Sequence, residues 1–109
     1  MNTKEQIENL ISQNNIVLFM KGTKDFPQCG FSSVVSSILQ KLDLPFQDIN
    51  VLEDPEIRQT IKEFSDWPTI PQLYIKGEFI GGCDIVKEMY QNGDLQKLLE
   101  EKNILTRSK

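Results

Sequence analysis

Ile16-Val17-Leu18-Phe19-Met20 is an unbroken apolar run, followed by Lys21-Gly22-Thr23-Lys24-Asp25-Phe26-Pro27-Gln28 and then by Cys29-Gly30-Phe31-Ser32 at the head of a helical pattern. The run has strand length and no polar alternation, which suits a central strand covered on both faces. The segment Lys21 to Gln28 is polar and contains Gly22 and Pro27, so it forms a loop. From about Gly30 to Leu42 the apolar positions Val34, Val35, Ile38, Leu39 and Leu42 share one helical face. A buried strand, a loop and a helix that starts at a cysteine set the frame for the remainder of the chain.

On the N-terminal side, Thr3-Lys4-Glu5-Gln6 has the form of a capping box, a hydroxyl followed three residues later by Gln. Ile7, Leu10 and Ile11 supply the stripe of a first helix, and Gln13-Asn14-Asn15 ends it. On the C-terminal side, Leu44-Pro45 breaks the second helix and Phe46 to Asn50 is a short strand. Asp54-Pro55 opens a third helix, with Asp as N-cap and Pro at the first helical position, and Ile57, Ile61 and Phe64 form its buried side. Trp67-Pro68-Thr69-Ile70-Pro71 cannot be helical. Gln72 to Ile75 and Glu78 to Ile80 read as a hairpin turned at Lys76-Gly77. A fourth helix begins near Cys83-Asp84, carries Ile85, Val86, Met89 and Tyr90, and stops at Gly93. Asp94 is expected to cap a last short helix with Leu95, Leu98 and Leu99. The order α-β-α-β-α-β-β-α-α predicts an α/β fold, a central four-stranded mixed sheet flanked by helices on both faces. All 109 residues are expected to form a single domain, with its core at about 5–101 and a frayed tail after about Lys102.

A hydrophobic share of 39% and a charged share of 26% are those of an ordinary soluble protein. The net charge of −4 argues against a nucleic-acid surface and against an anionic membrane. Met1 to Leu10 holds neither the apolar core of a signal peptide nor an Arg-rich amphipathic segment. The expectation is a cytoplasmic protein, in the bacterial cytosol, or in the mitochondrial matrix if a transit peptide has been removed.

The chain has two cysteines, Cys29 and Cys83, and no histidine. That excludes a Cys-His nucleophile pair and any His-based metal site. A closed tetrahedral zinc site within one chain is disfavoured by the same ligand count. A structural disulfide between the two cysteines would suit a secreted chain, which the N-terminus does not support. Cys29 lies where a loop joins a helix, just beyond a buried strand. Free backbone N–H groups and the helix dipole favour negative charge there, and Lys21 adds a cation, so the position suits a thiolate. The alternative is a small buried hydrophobe, the commonest fate of a free cysteine. Arg58 and Lys62 share one face of the third helix. Taken alone, a solvated face explains them better than a ligand site does.

Cys29-Gly30-Phe31-Ser32, preceded by Pro27-Gln28, resembles the signature of CGFS-type monothiol glutaredoxins. Phe19-Met20-Lys21-Gly22, Trp67-Pro68-Thr69-Ile70-Pro71-Gln72 and Gly81-Gly82-Cys83-Asp84 resemble three further motifs of that family, in the right order and at fitting spacings. Together they span nearly the whole chain, from about Glu5 to Glu101. The resemblance implies a thioredoxin-like (glutaredoxin) fold with a cis Pro71 that sets the backbone of Ile70 opposite the Cys29 sulfur. It also implies that Ser32 stands where a dithiol member has its resolving cysteine. Such a chain can exchange with glutathione through a mixed disulfide but cannot close a Cys-x-x-Cys disulfide. By the resemblance, Lys21, Arg58, Ile70, Cys83 and Asp84 hold glutathione, and Lys62 matches less well. Asp84 fits a simple N-cap as well as a partner for the peptide's amino group. Cys83 fits a backbone contact better than a slow resolving thiol.

The function this implies is carriage of a [2Fe–2S] cluster. Such a cluster wants four thiolate ligands, and one protomer offers only Cys29, so two protomers and two glutathione thiols make the set. The partners implied are glutathione, a second copy of the chain when the cluster is bound, BolA-like proteins and apo iron–sulfur proteins. The alternative is a glutathione-dependent thiol–disulfide oxidoreductase that removes glutathione from proteins through Cys29.

Overall fold

The computed structural model describes residues 2–104. Its elements follow the expected order: α1 (Thr3–Gln13), β1 (Ile16–Met20), α2 (Gly30–Lys41), β2 (Gln47–Asn50), α3 (Pro55–Ser65), β3 (Gln72–Ile75), β4 (Glu78–Gly81), α4 (Cys83–Asn92) and α5 (Asp94–Glu101). The sheet order is β2-β1-β3-β4. β1 runs parallel to β2 and antiparallel to β3, and β3 and β4 form the antiparallel hairpin. This is the mixed four-stranded sheet of the thioredoxin-like fold. The Ile70–Pro71 peptide bond is cis.

All five residues of β1 are buried. Because side chains alternate along a strand, the run divides between two cores. Ile16, Leu18 and Met20 pack with Val35, Ile38 and Leu39 of α2, Val86 of α4, and Leu95 and Leu99 of α5. Val17 and Phe19 pack with Ile7 and Ile11 of α1 and with Ile57 and Ile61 of α3. β3 divides the same way, Leu73 and Ile75 to the first core and Tyr74 to the second. Each fully buried side chain of this size contributes about 2 kcal/mol. No helix among the described residues is long and apolar enough to cross a membrane.

Three local expectations are corrected, and one element is added. The capping box of α1 is made by Asn2 and Glu5, not by Thr3 and Gln6: the Glu5 amide donates to Asn2 Oδ1 at 2.8 Å and the Asn2 amide donates to Glu5 Oε1 at 3.0 Å. Thr3 Oγ1 donates instead to Glu56 Oε2 of α3, at 3.3 Å. Asp94 does not cap α5. The Asn92 carboxamide accepts from the Asp94 amide at 2.9 Å, so the chain turns at Gly93, which ends α4 and begins α5, and Asp94 falls inside the first turn. The strand expected from Phe46 starts at Gln47, because Phe46 is drawn into the first core. A single 3-10 turn, Val51–Glu53, lies between β2 and α3 and had no periodic signature. Asp54 caps α3 as expected, accepting from the amides of Glu56 and Ile57. The tail expected after Lys102 lies mostly outside the described residues.

Tyr74 is 2% exposed, and its hydroxyl donates to Gln72 Oε1 at 3.2 Å. Burial pushes its phenol up to about 12, partly offset by a hydrogen bond with Ser65. The folded-state value lies above the unfolded one, so the associated stability is complete below pH about 10 and is lost as pH rises towards 12. Chemical denaturation across this window is expected to show a fall in stability that Tyr74→Phe removes in part. An identical pH slope in the two proteins would contradict the assignment.

Candidate functional site

Three elements meet at the C-terminal end of β1. Backbone pairing to β2 ends at Met20↔Asn50. The next two amides are taken by side chains: Lys21 N donates to Ser32 Oγ at 3.0 Å and Gly22 N to Asn50 Oδ1 at 2.9 Å. The loop then folds back on itself, with Gln28 N donating to Lys21 O at 2.9 Å and a bridge between Gly22 and Pro27. Gly22 has φ +93°, and a Cβ there would stand 2.5 Å from Gln28 N and from Phe26 O. Only glycine fits such a turn. Lys24 anchors the loop's far side, its amide on Asp48 Oδ2 and its ammonium on the Phe46 carbonyl.

This arrangement delivers Cys29 to the N-cap of α2, with its carbonyl accepting from Ser33 N. Its thiol is free and half-buried. It makes no ordinary cap hydrogen bond. The amides at the helix start instead hold the thiol below its usual range. The Ser32 backbone N–H is the largest cause. Burial opposes it, and the Phe31 N–H, the Lys21 charge and the Ser32 hydroxyl add to the lowering. Cys83 is also a free thiol, but burial, with smaller effects from Asp84 and Cys29 set against Lys87, pushes it up. The two cysteines share one end of the molecule and are tuned in opposite directions.

Beside them lies a cleft of about 250 Å³ lined by Phe31, Trp67, Ile70, Pro71, Cys83 and Asp84, among others. Ile70, Cys83 and Asp84 thus come together as expected. Lys21 and Arg58 do not line this cleft: Lys21 stands at the end of β1 near Cys29, and Arg58 lies half-buried on α3 with Lys62. Asp84 is exposed and is the second residue of α4, whose N-cap is Gly82, so it is not itself the cap. Gly82 permits a close approach, since a Cβ there would lie 3.2 Å from the Trp67 indole nitrogen and 3.3 Å from the Pro71 carbonyl. That indole N–H is buried without a hydrogen-bond partner. Phe31 and Trp67 as cleft walls, and Asn50 and Ser32 as supports of the loop, carried no periodic or motif signal that would assign them these roles. No group of three or more Cys, Asp, Glu or His side chains placed to hold a metal ion occurs among the described residues.

A family model described as glutaredoxin matches residues 16–80. The chain is 59% identical over 102 residues to a probable monothiol glutaredoxin 2 of Rickettsia typhi, covering 94% of this chain and 92% of that protein. The solution structure of reduced poplar apo GrxS14 superposes with a TM-score of 0.81 at 54% identity, covering 90% of both chains. A crystal structure of a buckwheat glutaredoxin–glutathione complex superposes with a TM-score of 0.83 at 26% identity, covering 95% of this chain and 93% of that one.

The opposite tuning of the two thiols is directly testable by alkylation. Labelling of the reduced protein with iodoacetamide, followed by peptide mass spectrometry, is expected to modify Cys29 faster than Cys83 at pH 7. Because the Cys29 value is lowered and the Cys83 value raised, going from pH 9 to pH 7 is expected to suppress labelling of Cys83 far more than that of Cys29. Equal suppression at both sites would contradict this reading.

Proposed function

The chain belongs to the glutaredoxin family, in its monothiol branch, and on that premise we propose that it carries a [2Fe–2S] cluster between two copies of itself and delivers it to apo iron–sulfur proteins. The observation that carries the reading is one acidified thiol without a cysteine in its own turn: Cys29 is held below the usual thiol range at a helix start, while Ser32, one turn on, offers only a hydroxyl and Cys83 is tuned the other way. A thiolate with no partner in its own turn suits a shared ligand better than an intramolecular disulfide. One such ligand per chain fits a cargo that needs a second protomer and two small-molecule thiols.

Glutathione is the small thiol in this reading. Its γ-glutamyl end lies at the N-terminus of α4, on the Cys83 and Asp84 amides with the Asp84 carboxylate facing the amino group. Its cysteinyl backbone lies along Ile70, and its other carboxylate meets Lys21 and Arg58. Ligands borrowed from a small molecule exchange readily, which suits transfer to acceptors, with a BolA-like protein as a further partner. The site of action is the cytosol of a bacterium or the mitochondrial matrix, and the chain acts as one glutaredoxin domain. A second reading, glutathione-dependent oxidoreduction, draws on the same lowered Cys29 thiol, which can form and release a mixed disulfide with glutathione.

Two experiments separate the readings. Anaerobic reconstitution with iron and sulfide is expected to give a brown dimer with about two irons and two glutathiones when glutathione is present, and colourless monomer when it is omitted. Cys29→Ser abolishes the cluster because a hydroxyl is a poor ligand for iron, whereas Cys83→Ser keeps most of it. A cluster that forms without any small thiol, or on a monomer, would sink the shared-ligand arrangement. In the second experiment, Arg58→Glu is expected to weaken glutathione retention and cluster yield together, by about tenfold. If the wild type reduces glutathione-coupled disulfides rapidly and never holds iron, the oxidoreductase reading replaces the carrier.

A further inference from the structure

The end of β1 carries two polar side chains that no catalytic or ligand role accounts for. Ser32 is fully buried on the inner face of α2, beside Val35 and Ser36, and its Oγ accepts from the Lys21 amide at 3.0 Å. Asn50, the last residue of β2, uses a single oxygen twice: its Oδ1 accepts from Gly22 N at 2.9 Å and from Leu52 N at 3.0 Å. The second of these bonds starts the 3-10 turn Val51–Glu53, which leads into Asp54, and the Asp54 carbonyl accepts from the Arg58 amide at 3.0 Å. Consecutive amides just past the last ladder pair are therefore held by oxygens from two different directions, one in the helix headed by Cys29 and one in the segment that begins the helix of Arg58.

We propose that Ser32 and Asn50 are positioning residues whose side-chain oxygens clamp the Lys21 and Gly22 amides, fixing Lys21 between the Cys29 helix and the Arg58 helix for a thiol peptide with two carboxylates. The purpose of the clamp rests on the glutathione reading above; its geometry does not. An unclamped strand end would leave two amides to water and would let the lysine swing with its loop. A charged group binds a carboxylate well only when its backbone is already in place. On this view the serine in the Cys-x-x-Ser stretch is more than a missing cysteine. Its oxygen is a strong acceptor for a buried amide, a service that a thiol sulfur performs weakly.

The test uses the reduced full-length protein labelled with nitrogen-15. In Ser32→Ala, hydrogen exchange at the Lys21 amide is expected to rise at least about tenfold, and in Asn50→Ala the same is expected at Gly22 and Leu52, while Leu18 and Leu73 in the sheet keep wild-type protection. Asn50→Asp, which retains the acceptor oxygen, keeps Gly22 protected. Titration with S-methylglutathione, which cannot exchange with Cys29, is expected to show affinity falling about fivefold in each alanine variant, the effect of losing one ordinary hydrogen bond. In a Lys21→Ala background, Ser32→Ala is expected to cause no further loss, since it acts through Lys21. Unchanged exchange at Lys21 and Gly22 overturns the clamp. Freed amides with unchanged affinity, or a loss fully additive with Lys21→Ala, overturn the positioning role. Absence of S-methylglutathione binding by the wild type, with amides that still respond, overturns the glutathione reading and the clamp's purpose together while leaving its hydrogen bonds demonstrated.

Discussion

β1 has no solvent side: Ile16, Leu18 and Met20 are packed under α2, α4 and α5, and Val17 and Phe19 under α1 and α3. A strand of this kind can exist only between two layers of helix, so it dictates the three-layer arrangement and forbids a one-residue register shift, which would exchange the two cores. It also dictates where chemistry can occur. Along β1 the backbone is committed to β2 and β3, and amides without a strand partner appear only where pairing to β2 stops, after Met20↔Asn50. The cysteine, the lysine and the loop that joins them gather at that boundary because it is the first place where the chain is free to aim polar groups outward.

The boundary tunes its two thiols without any histidine. Cys29 gains from amides at a helix start and from a nearby ammonium, while Cys83, at the start of another helix, is governed by burial and by the neighbouring Asp84. Position at a helix N-terminus is therefore not sufficient to acidify a cysteine. Desolvation has to be modest and the local charge has to be favourable, and only one of the two sites meets both conditions.

The framework was legible because its signals are periodic or chemical. The unbroken run of β1, the i and i+4 stripe of α2 and the Asp-Pro start of α3 each have one physical interpretation, and the structure follows them closely. The errors fall at helix starts, where neighbouring residues offer rival caps. Asn2, one residue ahead of Thr3, caps α1 through the Glu5 amide, and α5 starts from Gly93 and not from Asp94, whose own amide is held by Asn92. Tertiary neighbours bear on that choice: Thr3 has Glu56 of α3 within reach, and nothing near Thr3 in the chain announces that. At the site, Cys29 and the triplet Ile70, Cys83 and Asp84 could be named from motifs. Asn50 and Ser32 as loop supports could not, because their partners are backbone amides brought near only by folding.

The sheet ends in two outer strands, and both are guarded. Next to β2, Lys24 occupies the Phe46 carbonyl and draws Asp48 into the loop. On β4, Glu78 pairs with Lys102 at 3.0 Å. Charged groups along an outer strand discourage another strand from adding to it. Two copies of this chain therefore have no ready way to merge their sheets into one continuous ribbon, the kind of union that is slow to undo.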